Sequence, residues 1–344
     1  MKCDIIIPVW NLKEYTQKCV ESLIKNTDYS FRLIMVDNGS EKETKEYLES
    51  LKADTRLNDY ALIRNEKNLG YTKATNQGMK IAASEYVCLL NNDTLLLEGW
   101  LSEMIKVAES ADDIGIVNPS SNNLGDYKPW RLSLENYALE LRRKYSGQYI
   151  EMATAIGFCF LIKREVIEKL GILSDEYGDG NFEDTEYAIR AMRNGYKSVI
   201  ARGSYVYHRE HASFNMIKDW EDMFVDNQKL FHKLFGSPKR ILYVLTKENK
   251  DYFKELKQET YDLASKCNWV TVFIKDSIPK LDLAEHTNIR IIGMMGAFFR
   301  WRCVHRVLIK KKRYSHIFTD DKKLFNILKR SEGLHKAEVK CQAG

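Results

Sequence analysis

The run Val87-Cys-Leu-Leu-Asn-Asn-Asp93 carries a carboxylate to the end of an apolar stretch of strand length. Runs of that kind are buried on both faces, and the ligands of open α/β sheets gather beyond the carboxyl ends of such strands. One hard oxygen ligand on a rigid strand, with the amides of Asn91 and Asn92 beside it, suits a Mg2+ or Mn2+ that also takes phosphate oxygens. The same three residues are equally ordinary turn formers, because their side chains bond their own backbone. A second acidic pair, Glu183-Asp184, stands just before a helical pattern with apolar positions at Tyr187, Ala188, Ala191 and Met192. Carboxylates there either cap the helix or, held at a pocket rim, accept a proton from an attacking hydroxyl. His208 ends the run Ser204-Tyr-Val-Tyr-His208 as Asp93 ends its own. It is either a hydrogen-bonded structural residue or a neutral imidazole that completes a Mn2+ site.

Strands alternating with helices must position these groups. Residues 4–9 form an apolar strand running into a loop at Asn11, and Cys19, Val20, Leu23 and Ile24 predict a helix over 13–26. Residues 31–36 form a second strand ending in Asp37-Asn38-Gly39-Ser40, followed by a helix over 41–52 with Ser40 and Glu43 as a capping box. A strand at 60–64, a loop at 65–70 and a helix over 72–83 lead into the strand that ends at Asp93. This alternation implies right-handed crossovers and a mostly parallel sheet, so the polar loops at Asn11, Asp37-Asn38 and Asn68–Gly70 share an edge with Asp93. After a helix at 98–110 and a strand at 114–119, residues up to Gly147 read as a loop-rich region suited to acceptor contacts. Strands follow at 155–162, 198–201 and 204–208, with a short helix at 163–170. No G-x-G-x-x-G follows the first strand and no G-x-x-x-x-G-K-[ST] occurs, so a bound diphosphate needs another source of positive charge.

At 344 residues the chain has room for two domains, and Gly236-Ser-Pro238 marks a boundary between 1–235 and 236–344. The first part holds 30 Lys/Arg against 36 Asp/Glu and the second 23 against 12, so the net charges are −6 and +11. An acidic part can house a metal, whereas a basic part calls for an acidic partner, an anionic membrane surface or a phosphorylated substrate. The seven cysteines are scattered without a C-x-x-C pair, as expected of reduced, mostly buried thiols. Neither a membrane-length apolar stretch nor a signal-peptide pattern is present, which makes the cytoplasm the expected location.

In their order these motifs resemble the family 2 glycosyltransferases, nucleotide-sugar enzymes with the GT-A fold. The resemblance covers residues 3–235 and rests on Ile7-Pro-Val-Trp-Asn11, Val36-Asp-Asn-Gly-Ser40, Asn68-Leu-Gly-Tyr71, Leu90-Asn-Asn-Asp-Thr94, Gly157 ahead of Lys163-Arg-Glu-Val, Phe182-Glu-Asp-Thr-Glu-Tyr-Ala-Ile-Arg190, and His208 with Ser213-Phe214. It implies that Asp93 matches the last acidic residue of a D-x-D metal motif and that His208 lies near the metal and diphosphate. Asp184 then becomes the catalytic base of an inverting displacement, with Mn2+ or Mg2+ and a UDP- or dTDP-sugar as donor and a glycan hydroxyl as acceptor. Asp37 and the loop of Pro8, Val9, Trp10 and Asn11 are implied to hold the nucleobase and ribose, and Asn68, Gly70 and Asn92 join the donor-binding candidates. Two departures stand out: Asn91-Asn92-Asp93 keeps a single carboxylate, and Glu186 occupies a position where the family commonly has Asp. A noncatalytic nucleotide-sugar or glycan-binding module is the alternative on the same fold.

Residues 236–344 read as α/β again, with strands at 240–246, 269–274, 289–292 and 314–320. They are weakly similar to the first part of a Rossmann-like half of a GT-B glycosyltransferase and shorter than a full one, as a truncated piece of a modular enzyme would be. The stretch from Arg300 to Arg313 reads as a basic helix with Trp301, Val304, Val307 and Leu308 on or near one face. Such a helix packs on a core or docks on anionic lipid or a partner, and nucleic acid is not expected because no binding fold accompanies the charge.

Overall fold

The computed structural model describes residues 2–178, 180–209, 220–278 and 281–342. Ser213 and Phe214, part of the sequence pattern above, lie outside them. The chain divides into two compact units, Met1–Phe235 and Gly236–Gly344.

In the first unit the order is β1 (Cys3–Val9), α1 (Lys13–Asn26), β2 (Phe31–Asn38), α2 (Lys42–Ser50), β3 (Tyr60–Asn65), α3 (Tyr71–Ile81), β4 (Tyr86–Leu90), β5 (Thr94–Leu96), α4 (Trp100–Ala108), β6 (Ile114–Ser120), α5 (Leu134–Tyr145), β7 (Tyr149–Met152), β8 (Cys159–Lys163), α6 (Arg164–Leu170), α7 (Glu183–Arg193), β9 (Lys197–His208) and α8 (Trp220–Phe235). The sheet order is β3-β2-β1-β4-β8-β6-β9-β5, with β7 also on β9. Its first four strands are parallel, whereas β8 runs antiparallel to both β4 and β6, so the second half is mixed.

The uninterrupted apolar runs reflect burial on both faces. Along β1, Cys3, Ile5, Ile7 and Val9 pack toward α1 and α4, and Ile6 packs with Ile34, Val36, Ala74 and Met79 on the face covered by α3. Each such side chain contributes about 1.5–3 kcal/mol of burial. Asp4 is the exception inside β1. Its carboxylate is 1% exposed and accepts from the N–H groups of Ala83 and Ser84 and from the Ser84 hydroxyl at 2.6–2.8 Å, which pins the end of α3 to β1.

Several expectations are corrected. Ser40 does not cap α2: its Oγ accepts from the Asn11 N–H at 2.9 Å, and the cap position is Glu41 without a side-chain bond. The region before Gly147 contains the twelve-residue α5, capped by Ser133 and packed through Leu134, Tyr137, Ala138 and Leu141. The two short strands expected at 198–208 are one strand, because Gly203 marks a close approach and not a break. A Cβ there would lie 2.8 Å from Glu103 Oε2 and 3.0 Å from Ser146 Cα. The strand expected from 155 begins at Cys159, which frees 155–158 to form a loop.

The second unit contains β10 (Arg240–Leu245), α9 (Lys250–Ser265), β11 (Trp269–Lys275), β12 (Ile289–Met294), α10 (Phe299–Ile309), β13 (His316–Thr319), α11 (Lys322–Arg330), α12 (Glu332–His335) and β14 (Glu338–Cys341). Its sheet is wholly parallel, in the order β12-β11-β10-β13-β14. In α10 the buried positions are Phe299, Cys303, Val304 and Val307, while Trp301 is 70% exposed and does not share the apolar face. At about 100° per residue it falls some 200° around the helix from Phe299. All seven cysteines are free thiols.

Replacing Asp4 by Ala strands three donors at the α3 end, and we expect a loss of about 3 kcal/mol in urea denaturation. A change below about 1 kcal/mol would show that the carboxylate does not hold this junction.

Candidate active site

Strand β9 runs antiparallel to β5 with His208 opposite Thr94. That register brings the imidazole against the residue before Thr94: Nε2 lies 3.0 Å from Asp93 Oδ1, and both side chains are buried. Phe158 stacks on the ring with centroids 5.2 Å apart. Asn122 brackets the backbone of His208, accepting from its N–H at 2.9 Å and donating to its carbonyl at 2.8 Å. The Asn123 amide nitrogen donates to Nδ1, so the ring hydrogen sits on Nε2 and is donated to Asp93.

A cavity of about 470 Å³ opens beside this pair, with His208 and Asn91 in its wall. The Asn91 Oδ1 is buried and has no hydrogen-bond partner among the described residues. Asn92 is turned elsewhere, donating to Thr16 Oγ1 of α1 at 3.0 Å. Among the described residues there is no cluster of three His, Cys, Asp or Glu that could hold a metal. The Asp93 carboxylate and the unpartnered Asn91 oxygen are hard donors suited to Mg2+ or Mn2+, and His208 can join them once its ring hydrogen moves from Nε2 to Nδ1 and frees Nε2.

Across the cavity stands the first turn of α7. The Asp184 carboxylate accepts from the N–H groups of Gly157 at 2.7 Å and Thr185 at 2.6 Å, and from the Thr185 hydroxyl at 3.2 Å. A Cβ at 157 would come within 3.2 Å of Asp184 Oδ2, so the carboxylate would have to give by a few tenths of an ångström. The Gly157 carbonyl in turn accepts from the Tyr71 hydroxyl at 3.1 Å, tying the start of α3 to the loop before β8. Glu183 is 4% exposed and its Oε2 has no partner among the described residues. Burial pushes its carboxyl up to about 8, with the charge of Asp184 adding to the effect. Burial also raises Asp184, but the Thr185 and Gly157 N–H groups pull it back. Three donors on Asp184 and none on Glu183 Oε2 favour the proton of the pair on Glu183 and the negative charge on Asp184.

The turn into α7 is held under strain. Asn181 and Phe182 both have positive φ, +72° and +77°. From α8, Asn227 donates to the carbonyls of Tyr177 and Gly180 at 2.9 and 2.8 Å, and Phe224 and Phe231 pack on Phe182.

The remaining candidates form a network at the carboxyl ends of β1, β2 and β3. Pro8 and Val9 pair with Val36 and Asp37. Asp37 is fully buried, with one oxygen accepting from the Ser40 N–H and the other held by Arg64. Asn11, at φ 55°, accepts from the Glu41 N–H at 2.8 Å and locks the first loop to the second. Asn38 donates to Asn68 Oδ1 at 2.7 Å and to the Gly70 carbonyl, while Asn68 also accepts from the Gly70 N–H. Gly39 has no substitute: at φ +79° a Cβ would lie 2.5 Å from the Lys67 carbonyl carbon. Trp10 is half-buried at the same edge. Glu186, expected from its motif position, forms an ion pair with Arg190 at 2.9 Å within α7.

Residues 4–171 match the family model described as Glycosyl transferase family 2. The first unit belongs to that family. Its mixed sheet carries helices on both faces. Among similar proteins, the uncharacterized protein y4gI of Sinorhizobium fredii is 27% identical over 232 residues, which are 61% of this chain and 24% of that protein. The uncharacterized glycosyltransferase EpsJ of Bacillus subtilis is 23% identical over 223 residues, 62% of this chain and 63% of its own length. The chain therefore spans less than two thirds of either relative. Among solved structures, the mannosyltransferase PcManGT from Pyrobaculum calidifontis, in complex with GDP-Man and Mn2+, superposes with a TM-score of 0.49 at 18% identity, covering 61% of this chain and 57% of that one.

Of the residues around this cavity, Asn122, Asn123, Phe158 and Asn227 are not signalled by any motif, since each acts through partners remote in sequence. The Glu183 proton has a measurable consequence. The fold holds that proton up to about pH 8, whereas the unfolded chain releases it near 4.5, so stability drains away as pH rises through this window. Glu183→Gln removes the linkage. Its melting temperature relative to wild type should climb steadily from pH 5 to pH 8, and a difference that stays flat would place the proton elsewhere.

Proposed function

We propose that the protein transfers a sugar from a UDP- or dTDP-sugar to a hydroxyl of a glycan or other surface-polysaccharide acceptor, with inversion at the anomeric carbon. One observation carries the reading: Asp184 and the imidazole that is bonded to Asp93 line a single cavity. An acceptor hydroxyl is a weak nucleophile, and Asp184 takes its proton as the oxygen attacks the anomeric carbon. The bond to the diphosphate oxygen breaks on the opposite face. The charge on Asp184 is kept available because Glu183 holds the proton of the pair.

Asp93, His208 and Asn91 would hold a divalent cation, which when bound supplies charge neutralisation for the departing diphosphate. The nucleoside half is assigned to the rim made by Pro8, Val9, Trp10 and Asn11 with Asn68 and Gly70. Asp37 acts there by fixing Ser40 and Arg64, and Asn92 by fixing α1. The acceptor is assigned to the segment after Asn123, where Tyr127 and Trp130 are 75% and 93% exposed. Peripheral contact with an anionic membrane or a partner protein through the basic second unit belongs to the same proposal. No helix among the described residues is long and apolar enough to cross a membrane.

A panel of nucleotide sugars tested for Mn2+-dependent hydrolysis, with EDTA as control, checks donor and metal together. One donor should be turned over, and EDTA should stop it. Asp184→Asn should lower kcat by about 10²–10⁴-fold at a temperature where circular dichroism shows the variant folded. Absence of any hydrolysis, together with an Asp184→Asn variant that behaves as wild type, would favour a noncatalytic sugar-nucleotide-binding module.

A further inference from the structure

The second unit carries a site of its own. Counted from its first strand, the sheet order is 3-2-1-4-5 with every pair parallel. In a sheet wound this way the connections diverge between the first and fourth strands, which leaves a crevice outside the carboxyl ends. A cavity of about 440 Å³ lies at these ends, lined by Thr246 and Lys247 after β10, Lys275 at the end of β11, the turn from Gly296 to Trp301 after β12, and Asp321 after β13.

Lys247, Lys275 and Arg300 line this cavity with a single carboxylate, Asp321. The Asp320 carboxylate accepts from the Thr246 N–H and hydroxyl and from the Lys247 N–H at 2.8–3.0 Å. Asp321 accepts from the Lys323 and Leu324 N–H groups at the start of α11 and pairs with Arg300 Nε at 2.6 Å. Asp276 accepts from the Gly296 N–H at 2.9 Å. With these carboxylates engaged, the Lys247 and Lys275 ammonium groups line the cavity without an ion-pair partner among the described residues. The turn at Gly296 lies against the Lys275 stem so closely that a Cβ would come within 2.9 Å of Cε. The first turn of α10, eleven residues long, also faces this space and has no side-chain cap.

Aromatic surface completes the cavity. Phe298 and Trp301 line it yet remain 76% and 70% exposed, and Met295 beside them is 57% exposed. Packing of the unit does not account for three large apolar side chains on one turn in solvent. The loop after β10, Thr246-Lys-Glu-Asn249, contains no glycine with which backbone could cradle a phosphate, so side chains must supply the positive charge.

We propose that this cavity binds a nucleotide, its phosphates on Lys247 and Lys275 and its base against Phe298 and Trp301. Paired lysines recognise the charge, and exposed rings supply a stacking face that any base can use. The site lies wholly within residues 246–327 and is separate from the cavity that contains Asp184.

Hydrogen–deuterium exchange on the full chain tests this with localised signals, using ADP, UDP, inorganic pyrophosphate and adenosine as probes. Peptides covering 246–252 and 294–302 should slow in exchange with ADP or UDP at concentrations about tenfold below those at which pyrophosphate acts, and adenosine should have no effect. Substituting Lys247→Ala and Lys275→Ala together should abolish the protection. Should that double variant unfold, Trp301→Ala, at an exposed position, should weaken it by about tenfold. Exchange unaffected by every probe would overturn the assignment, as would protection that survives the lysine substitutions or pyrophosphate acting as well as the nucleotides. Peptides spanning 8–11 and 68–71 report the first unit in the same experiment, so failure of either site is read separately.

Discussion

A buried hydrogen bond between residues 115 positions apart, from His208 Nε2–H to Asp93 Oδ1, is the contact on which the site depends. It exists because the sheet changes direction. The parallel half brings Asp93 to a strand end, and only the antiparallel pairing of β9 with β5 returns His208 to that point. Burying a carboxylate and an imidazole is costly unless both are satisfied, and here Asn122, Asn123 and Phe158 complete the shell around the ring. The loop before β8 is consequently fixed on one side by Phe158 against His208. On its other side Gly157 donates to Asp184. One short segment thus sets the spacing between the two halves of the cavity, which is why a bulkier residue at 157 would disturb both.

The acid pair depends on a different constraint. Glu183 and Asp184 are neighbours in one helical turn, yet three donors converge on Asp184 and Glu183 Oε2 has none among the described residues. Hydrogen bonding to the charged form separates their proton affinities, lowering that of Asp184 relative to Glu183. The turn that delivers them is strained at Asn181 and Phe182, and α8 holds it through Asn227 and a cluster of phenylalanines. Elements far from it in sequence are therefore part of what keeps Asp184 in position.

Much of the first unit is legible in its sequence, since residues 5–7 of β1, residues 33–36 of β2 and Tyr86–Leu90 of β4 are apolar runs and α1 repeats its apolar residues with helical spacing. Interruptions of that pattern were harder to read. Gly203 looked like a break and is a contact point within β9, and Ser40 looked like a helix cap but serves the neighbouring loop. Helix α5 was legible in principle, because Leu134, Tyr137, Ala138 and Leu141 have the spacing of one face, but its many charges obscured it. Asp93, Asp184 and His208 could be picked out because each ends an apolar element or begins a helix. Orientation could not be read: only the packing decides that Asn91 faces the cavity and Asn92 faces Thr16. β14 carries no sequence signal, being a four-residue strand with two charged residues.

The central claim is that the Asp93–His208 pair is the cation-binding edge of a donor site, with the ring hydrogen held on Nε2 until the site is filled. Proton–nitrogen NMR of imidazole-labelled protein, titrated with Mg2+ alone, UDP alone and both together, reads that hydrogen directly. The account predicts a His208 resonance with Nε2 protonated in the free protein and the hydrogen moved to Nδ1, where the Asn123 amide oxygen would accept it, only when Mg2+ and UDP are both present. A His208 signal unmoved by the combination, while UDP binding is detected elsewhere on the first unit, would contradict it.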